Sequence, residues 1–231
     1  MLTLPQKLPE RLKLVRQRIA AAARAAGRDP ASVTLIGVGK TQPAHALREA
    51  AEAGLADFGE NYVQEALGKL DELAGLPVNW HFIGALQSNK TRDVATRFGW
   101  VHTVDREKIA RRLSEQRPFH APPLQVCLQV RLGGEDTKSG VDPSALDALA
   151  AAVAVLPRIR LRGLMCIPPE EDDPARQRHW FAELRRLGER LNRQGLDLDV
   201  LSMGMSGDFE AAIAEGATHV RVGTAIFGPR A

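Results

Sequence analysis

Lys40 closes an apolar run, Val33-Thr34-Leu35-Ile36-Gly37-Val38-Gly39-Lys40-Thr41-Gln42-Pro43, and an ammonium at the mouth of a core is generally paired or used. Val33 to Val38 read as a buried strand, and Pro43 opens a helical pattern through Ala44-His45-Ala46-Leu47-Arg48-Glu49-Ala50. Lys40 therefore stands at the carboxyl end of a strand. Its obvious chemical use there is as an amine that loses its proton and condenses with an aldehyde. Two further segments carry anion chemistry: Ser202-Met203-Gly204-Met205-Ser206-Gly207-Asp208 and Gly223-Thr224. Small residues let backbone N–H groups approach a phosphate, and the hydroxyls of Ser206 and Thr224 add donors. Arg221 precedes Gly223 by two residues and so shares its face of a strand.

These residues need a frame, and the chain supplies a regular one. Leu4 to Arg24 carries apolar residues at Leu8, Leu12, Val15 and Ile19, a helical stripe that Gly27 ends. Eight candidate strands follow: Val33–Val38, Asp57–Glu60, Trp80–Gly84, Val101–Val104, Leu124–Val130, Ile159–Cys166, Val200–Gly204 and His219–Gly223. Helical patterns separate them over Ala44–Ala53, Tyr62–Leu73, Asn89–Phe98, Arg106–Gln116, Pro143–Leu156, Pro174–Gln194 and Phe209–Glu215. Strict alternation implies parallel strands joined by right-handed crossovers. Eight units in 231 residues fit a single (β/α)8 TIM barrel with an extra N-terminal helix, spanning residues 1–231 as one domain. An open doubly wound sheet is the alternative, because alternation does not show closure.

Composition narrows the function classes. The chain has 31 Lys plus Arg against 28 Asp plus Glu, a net charge of +3, which predicts no nucleic-acid partner despite a pI near 9.1. Cys127 and Cys166 lie in apolar runs, as buried thiols in a reducing compartment do. No apolar segment reaches membrane-spanning length and no signal peptide opens the chain, so the expected location is cytoplasmic, with no membrane partner. The histidines show no metal-ligand spacing, and His81, alternating with apolar neighbours, reads as a core residue or one that supports site residues from behind, not as a catalytic one. The arginines of the first helix and of Arg106 to Arg117 read as solvated faces, and Met203 and Met205 as packing.

In a closed barrel the first and last strands are neighbours, so Lys40 lies beside Arg221 and the two phosphate-type loops. An amine next to a phosphate site describes a receptor for an aldehyde that carries a phosphate, pyridoxal 5′-phosphate (PLP). Gly37-Val38-Gly39-Lys40-Thr41 also looks like the end of a nucleotide-binding P-loop, but the glycine required five residues before Gly39 is Thr34. A nucleotide hydrolase is therefore the weaker phosphate-binding alternative.

Gly39-Lys40-Thr41, Phe58-Gly59-Glu60-Asn61-Tyr62-Val63-Gln64-Glu65, Trp80-His81-Phe82-Ile83-Gly84, Leu86-Gln87-Ser88-Asn89-Lys90, Ser202-Met203-Gly204-Met205-Ser206 and Val220-Arg221-Val222-Gly223 with Ile226-Phe227-Gly228 resemble the signature blocks of the pyridoxal phosphate homeostasis protein family. The resemblance runs from Leu4 to Arg230. It implies a barrel like the N-terminal domain of alanine racemase that holds PLP as a Schiff base on Lys40 and serves PLP supply and balance, with no established turnover. It also implies that Asn61 lines the cofactor ring, that Ser206 with Gly223 and Thr224 takes the phosphate, and that Arg221 faces the pyridine nitrogen. Gly39 stands where the family pattern has serine, and Arg131-Leu132-Gly133 departs from the usual start of its loop.

The competing enzyme class is a PLP-dependent amino-acid racemase, which needs two bases on opposite faces of the ring. The racemases take the opposed base, a tyrosine, from a partner subunit's β domain, for which this chain shows no counterpart; Tyr62, its single tyrosine, is placed at a helix start within the barrel. A scaffold that binds only a protein partner is the third class and predicts no visible absorbance. Lys138, in Gly133-Gly134-Glu135-Asp136-Thr137-Lys138-Ser139-Gly140, is either an exposed lysine or a second amine that passes PLP to recipient apo-enzymes. The expected state is a monomer.

Overall fold

A computed structural model describes residues 7–133 and 139–229. Eight parallel strands form a closed barrel in chain order, with the last strand paired to the first. The strands are β1 (Thr34–Val38), β2 (Asp57–Glu60), β3 (Asn79–Phe82), β4 (Trp100–Val104), β5 (Leu124–Val130), β6 (Ile159–Cys166), β7 (Val200–Ser202) and β8 (His219–Val222). The helices are α1 (Leu8–Ala25), α2 (Ala44–Glu52), α3 (Val63–Glu72), α4 (Thr91–Arg97), α5 (Glu107–Gln116), α6 (Leu146–Ala154), α7 (Pro174–Arg193), α8 (Phe209–Ala214) and α9 (Thr224–Phe227). The alternation expected from the sequence is thus realised as a closed sheet, not an open one. The predicted helix Asn89–Phe98 begins instead as a 3-10 turn, Ser88–Lys90, before α4. The helix predicted over Pro143–Leu156 contracts to α6, and α9 was not legible because four residues are too few for a periodic signal.

Most apolar burial lies between barrel and helices. Leu47, Phe58, Phe82, Phe98, Ile109, Leu113, Phe181 and Phe209 are all within 1 % of complete burial there and belong to one continuous cluster. A second, small cluster of Cys127, Met165 and Val200, with Trp100 packed on it, stands apart from this sheath. Its members come from β4, β5, β6 and β7, which places it in the lumen.

α1 lies across α8, α9 and α2 and buries Leu8, Leu12, Val15, Ile19 and Ala23. Its arginines are not simply solvated, as their spacing suggested. Arg11 Nε donates to Ile226 O at 2.7 Å, Arg16 reaches Ala53 O and Gly54 O at 3.2 and 2.7 Å, and Arg18 pairs with Glu210 at 2.7 Å. Arg117 corrects the sequence reading more fully: it is 7 % exposed and donates to Ala95 O, Phe98 O and Pro122 O at 2.7 to 2.8 Å. It follows the last turn of α5 and satisfies carbonyls left open at the end of α4, a role that surface periodicity does not reveal.

The α1 seam can be tested directly. Leu12, 1 % exposed, should cost about 2–5 kcal/mol of stability on change to alanine. Leu14, 40 % exposed on the same helix, should cost within about 0.5 kcal/mol. Chemical denaturation of the two variants separates these expectations.

Candidate functional site

The residues singled out by the sequence gather at the carboxyl ends of β1, β2, β7 and β8. Ile36 of β1 is in register with Asp57 of β2 on one side and Arg221 of β8 on the other, so Lys40, Asn61 and Arg221 belong to three adjacent strand units. Gly223 lies against β1: a Cβ placed on it would stand 3.4 Å from Val38 Cβ, two residues before Lys40. Lys40, Asn61, Ser206 and Gly223 are half-buried, Thr224 is exposed and Arg221 is 4 % exposed.

The backbone that carries Lys40 is held on both sides by a buried ion cluster. Lys69 Nζ, on α3, donates to Gly39 O at 2.6 Å, Glu60 Oε1 at 2.8 Å and Glu65 Oε1 at 2.5 Å. Glu65 Oε1 in turn accepts from the backbone N–H of Thr41 at 2.6 Å. Thr41 has φ 62°, a left-handed conformation costly for a β-branched residue, and the bond to Glu65 helps hold it there. Gly39 has a steric reason: a Cβ would lie 2.6 Å from Glu60 Oε1 and 2.9 Å from Leu47 Cδ2, so a serine would have to displace the clamp. One lysine faces two carboxyl groups, Glu60 fully buried and Glu65 half-buried. Burial pushes the Glu60 carboxyl up to about 7, against the pull of Lys69. The sequence reading missed Glu65 and Lys69 as site residues, since an i,i+4 Glu/Lys pair on a helix reads as a surface pair.

Asn61 is seated by backbone contact. An ideal Cβ on Gly84 would fall 2.0 Å from Asn61 O, so any larger residue at 84 would displace Asn61. Thr103 Oγ1 fixes Gly84 by donating to its carbonyl at 2.6 Å. The side-chain Oδ1 of Asn61 is buried and, among the described residues, has no hydrogen-bond partner. A buried amide acceptor without a donor is the kind of group a ligand satisfies.

Arg221 is fixed from two directions. Nη1 donates to Ser202 Oγ at 2.8 Å and Nη2 to Cys166 O at 2.9 Å, while its backbone N–H donates to Gly204 O at 3.0 Å. The loop beyond Gly204 is closed on itself, with Met205 N donating to Asp208 Oδ1 at 2.6 Å and Phe209 N to Met205 O at 3.0 Å. Ser206 and Gly207 occupy its turn. Met203 is fully buried packing as expected, but Met205 is 39 % exposed because this turn carries it out of the core. Beside the loop lies a cleft of about 560 Å³, lined by Ile167, Pro169, Glu171, Met205 and Asp208. Burial pushes the Cys127 and Cys166 thiols up to about 12, so neither serves as a nucleophile at neutral pH. Lys138 lies outside the described residues.

The sequence matches the family described as alanine racemase, N-terminal domain, over residues 11–231. A pyridoxal phosphate homeostasis protein of Pseudomonas aeruginosa is 62% identical over 223 residues, covering 96% of each chain. Its counterpart in Escherichia coli K12 is 51% identical over 222 residues, covering 95% of each. The solved structure of PipY from Synechococcus elongatus PCC7942 with PLP bound superposes with a TM-score of 0.86 at 41% identity, covering 96% of this chain and 100% of that one.

The clamp generates a pH signature. Glu60 binds its proton more tightly in the folded chain than in the unfolded one, where its value is near 4.5. Its stabilising contribution is therefore full below about 4.5 and is lost as pH rises to about 7. Glu60→Gln keeps the acceptor for Lys69 and should flatten the fall in stability between about pH 5 and about pH 7.5, read from urea midpoints. Lys69→Met, which strands two carboxylates, should cost about 3–5 kcal/mol at neutral pH.

Proposed function

The chain belongs to the pyridoxal phosphate homeostasis protein family, and from that premise we propose that it binds PLP as a Schiff base on Lys40 and buffers or delivers it in the cytoplasm. The observation that carries this reading is the presentation of Lys40: a buried clamp fixes the backbone on either side of it, next to the glycine of the phosphate-type loop. The residues fit the group. A primary amine stands at the end of β1, an unpaired buried acceptor at Asn61, hydroxyls at Ser206 and Thr224, and a guanidinium at Arg221. PLP supplies an aldehyde for the amine and a phosphate that anchors it.

Within this reading Ser206, Gly223 and Thr224 take the phosphate, and Asn61 lines the ring. Arg221 faces the pyridine nitrogen as a permanent donor, which disfavours protonation of that nitrogen and weakens the ring as an electron sink. That suits a carrier better than a racemase. Tyr62, 59 % exposed at the N-cap of α3, is not packed in place as an opposed base would need to be. The protein acts as a monomer and hands PLP to apo-enzymes that use it.

Purified protein should absorb in the visible region, and Lys40→Ala should abolish that band; an unchanged spectrum would refute the assignment. Ser206→Ala should weaken PLP binding by about tenfold or more, the loss of one hydroxyl bond to an anion worth about 1.5–3 kcal/mol. Pyridoxal lacking the phosphate should bind far less well in the same titration. Chiral chromatography after prolonged incubation with alanine or serine should show no racemisation at the roughly 1–1000 per second typical of dedicated enzymes.

A further inference from the structure

The lumen below Arg221 holds a line of polar side chains that neither the apolar core nor the ligand site uses. His102 Nδ1 lies 2.8 Å from Ser202 Oγ, His102 Nε2 lies 2.9 Å from His81 Nδ1, and His81 Nε2 lies 3.0 Å from Asp57 Oδ1. With the bond from Arg221 Nη1 to Ser202 Oγ, the line joins β8, β7, β4, β3 and β2 across the barrel. Arg221, Ser202, His102 and His81 are each 4 % exposed or less. Asp57, the half-buried end, also accepts from Asn79 Nδ2 at 3.0 Å and borders a cavity of about 450 Å³ beside Thr34 and Gly54.

The proton positions along this line follow from its two ends. A guanidinium can only donate and an ionised carboxylate can only accept. Burial pushes Asp57 up, but its hydrogen bonds from His81 and Asn79 outweigh that and keep it below the usual carboxylate range. Burial pulls His81 down despite Asp57, and pulls His102 well down with His81, His219 and Arg221 adding to the effect. Each imidazole therefore carries one proton. His81 must spend its proton on Asp57, which makes its Nδ1 an acceptor. His102 must then donate from Nε2, its Nδ1 must accept, and the Ser202 hydroxyl must donate to it. Ser202 Oγ is left to accept from Arg221. The reverse order would need a second proton on His81 and would strand the hydroxyl proton of Ser202.

We propose that Ser202, His102, His81 and Asp57 form a one-way hydrogen-bonded column, each imidazole protonated on Nε2 alone, and that Ser202 and His102 are positioning residues for Arg221. The orientation rests on geometry and proton count; its effect on PLP rests on the reading that Arg221 faces the cofactor ring. Arg221 does not release a proton at accessible pH, so the column is a strut and not a proton path.

Imidazole ¹⁵N NMR on the ligand-free chain tests the column without reference to PLP. His81 and His102, assigned with His81→Gln and His102→Gln, should both show the neutral Nε2–H form between about pH 6 and about pH 8. An Nδ1–H form of His102, or a doubly protonated His81, would overturn the column. Titration with PLP then tests positioning. Ser202→Ala should raise the Kd for PLP by about threefold to tenfold and shift the visible maximum, as expected when Arg221 keeps its own contacts to the ligand but loses one of the two side-chain bonds that seat it. Ser202→Thr, which keeps the hydroxyl, should return both toward the parent values. Parent affinity and spectrum in Ser202→Ala would refute the positioning role, whereas a PLP band that survives Lys40→Ala would refute the binding reading and leave the column standing.

Discussion

Pairing of β1 with β8 is the constraint on which the site depends. Thr34 to Gly37 align with His219 to Val222, and this register brings Val38, two residues before Lys40, against Gly223. Those residues are separated by most of the chain, so their proximity comes from closure and from nothing local. Closure also removes sheet edges, leaving every strand's backbone paired on both sides. Loops at the carboxyl ends are then free to vary without cost to the sheet.

The two environments of the barrel divide the work. Between strands and helices the packing is continuous and apolar, and that sheath supplies most of the burial. The lumen instead holds a small apolar cluster beside which charged and polar groups are linked in series. A polar interior of this kind is tolerated only when its members satisfy one another, because each unpaired group would carry its full desolvation cost. Arg221 shows the principle: its charge is buried, yet a hydroxyl and a carbonyl take two of its donors.

On the other side of β1 and β2 the Glu60, Lys69 and Glu65 cluster solves a different problem. Buried ion pairs are poor sources of stability, since desolvation offsets much of the attraction. Here the cluster is tied to the carbonyl of Gly39 and the N–H of Thr41, so its effect is to define the backbone around Lys40. The left-handed Thr41 is tied into that clamp, and glycine at 39 leaves room for Glu60 Oε1 beneath the loop.

The eight alternating units, and the placement of Lys40 and of the loops carrying Ser206 and Gly223 at strand ends, were legible in the sequence, because a strand of period 2, a helix of period 3.6 and a glycine at a turn are local properties of neighbouring residues. The same locality explains what was not legible. Glu65 and Lys69 have the spacing of a solvated helix pair, and only the packing of α3 beneath the end of β1 turns them inward. Arg117 reads as surface charge until α4 presents its open carbonyls. His81, His102 and Ser202 lie on three strands with no shared motif, and their hydrogen bonds exist because a closed sheet brings opposite walls within reach. Sequence therefore determined the elements and the groups able to do chemistry, while tertiary structure decided which of those groups meet, since contacts across a barrel depend on strand register and closure.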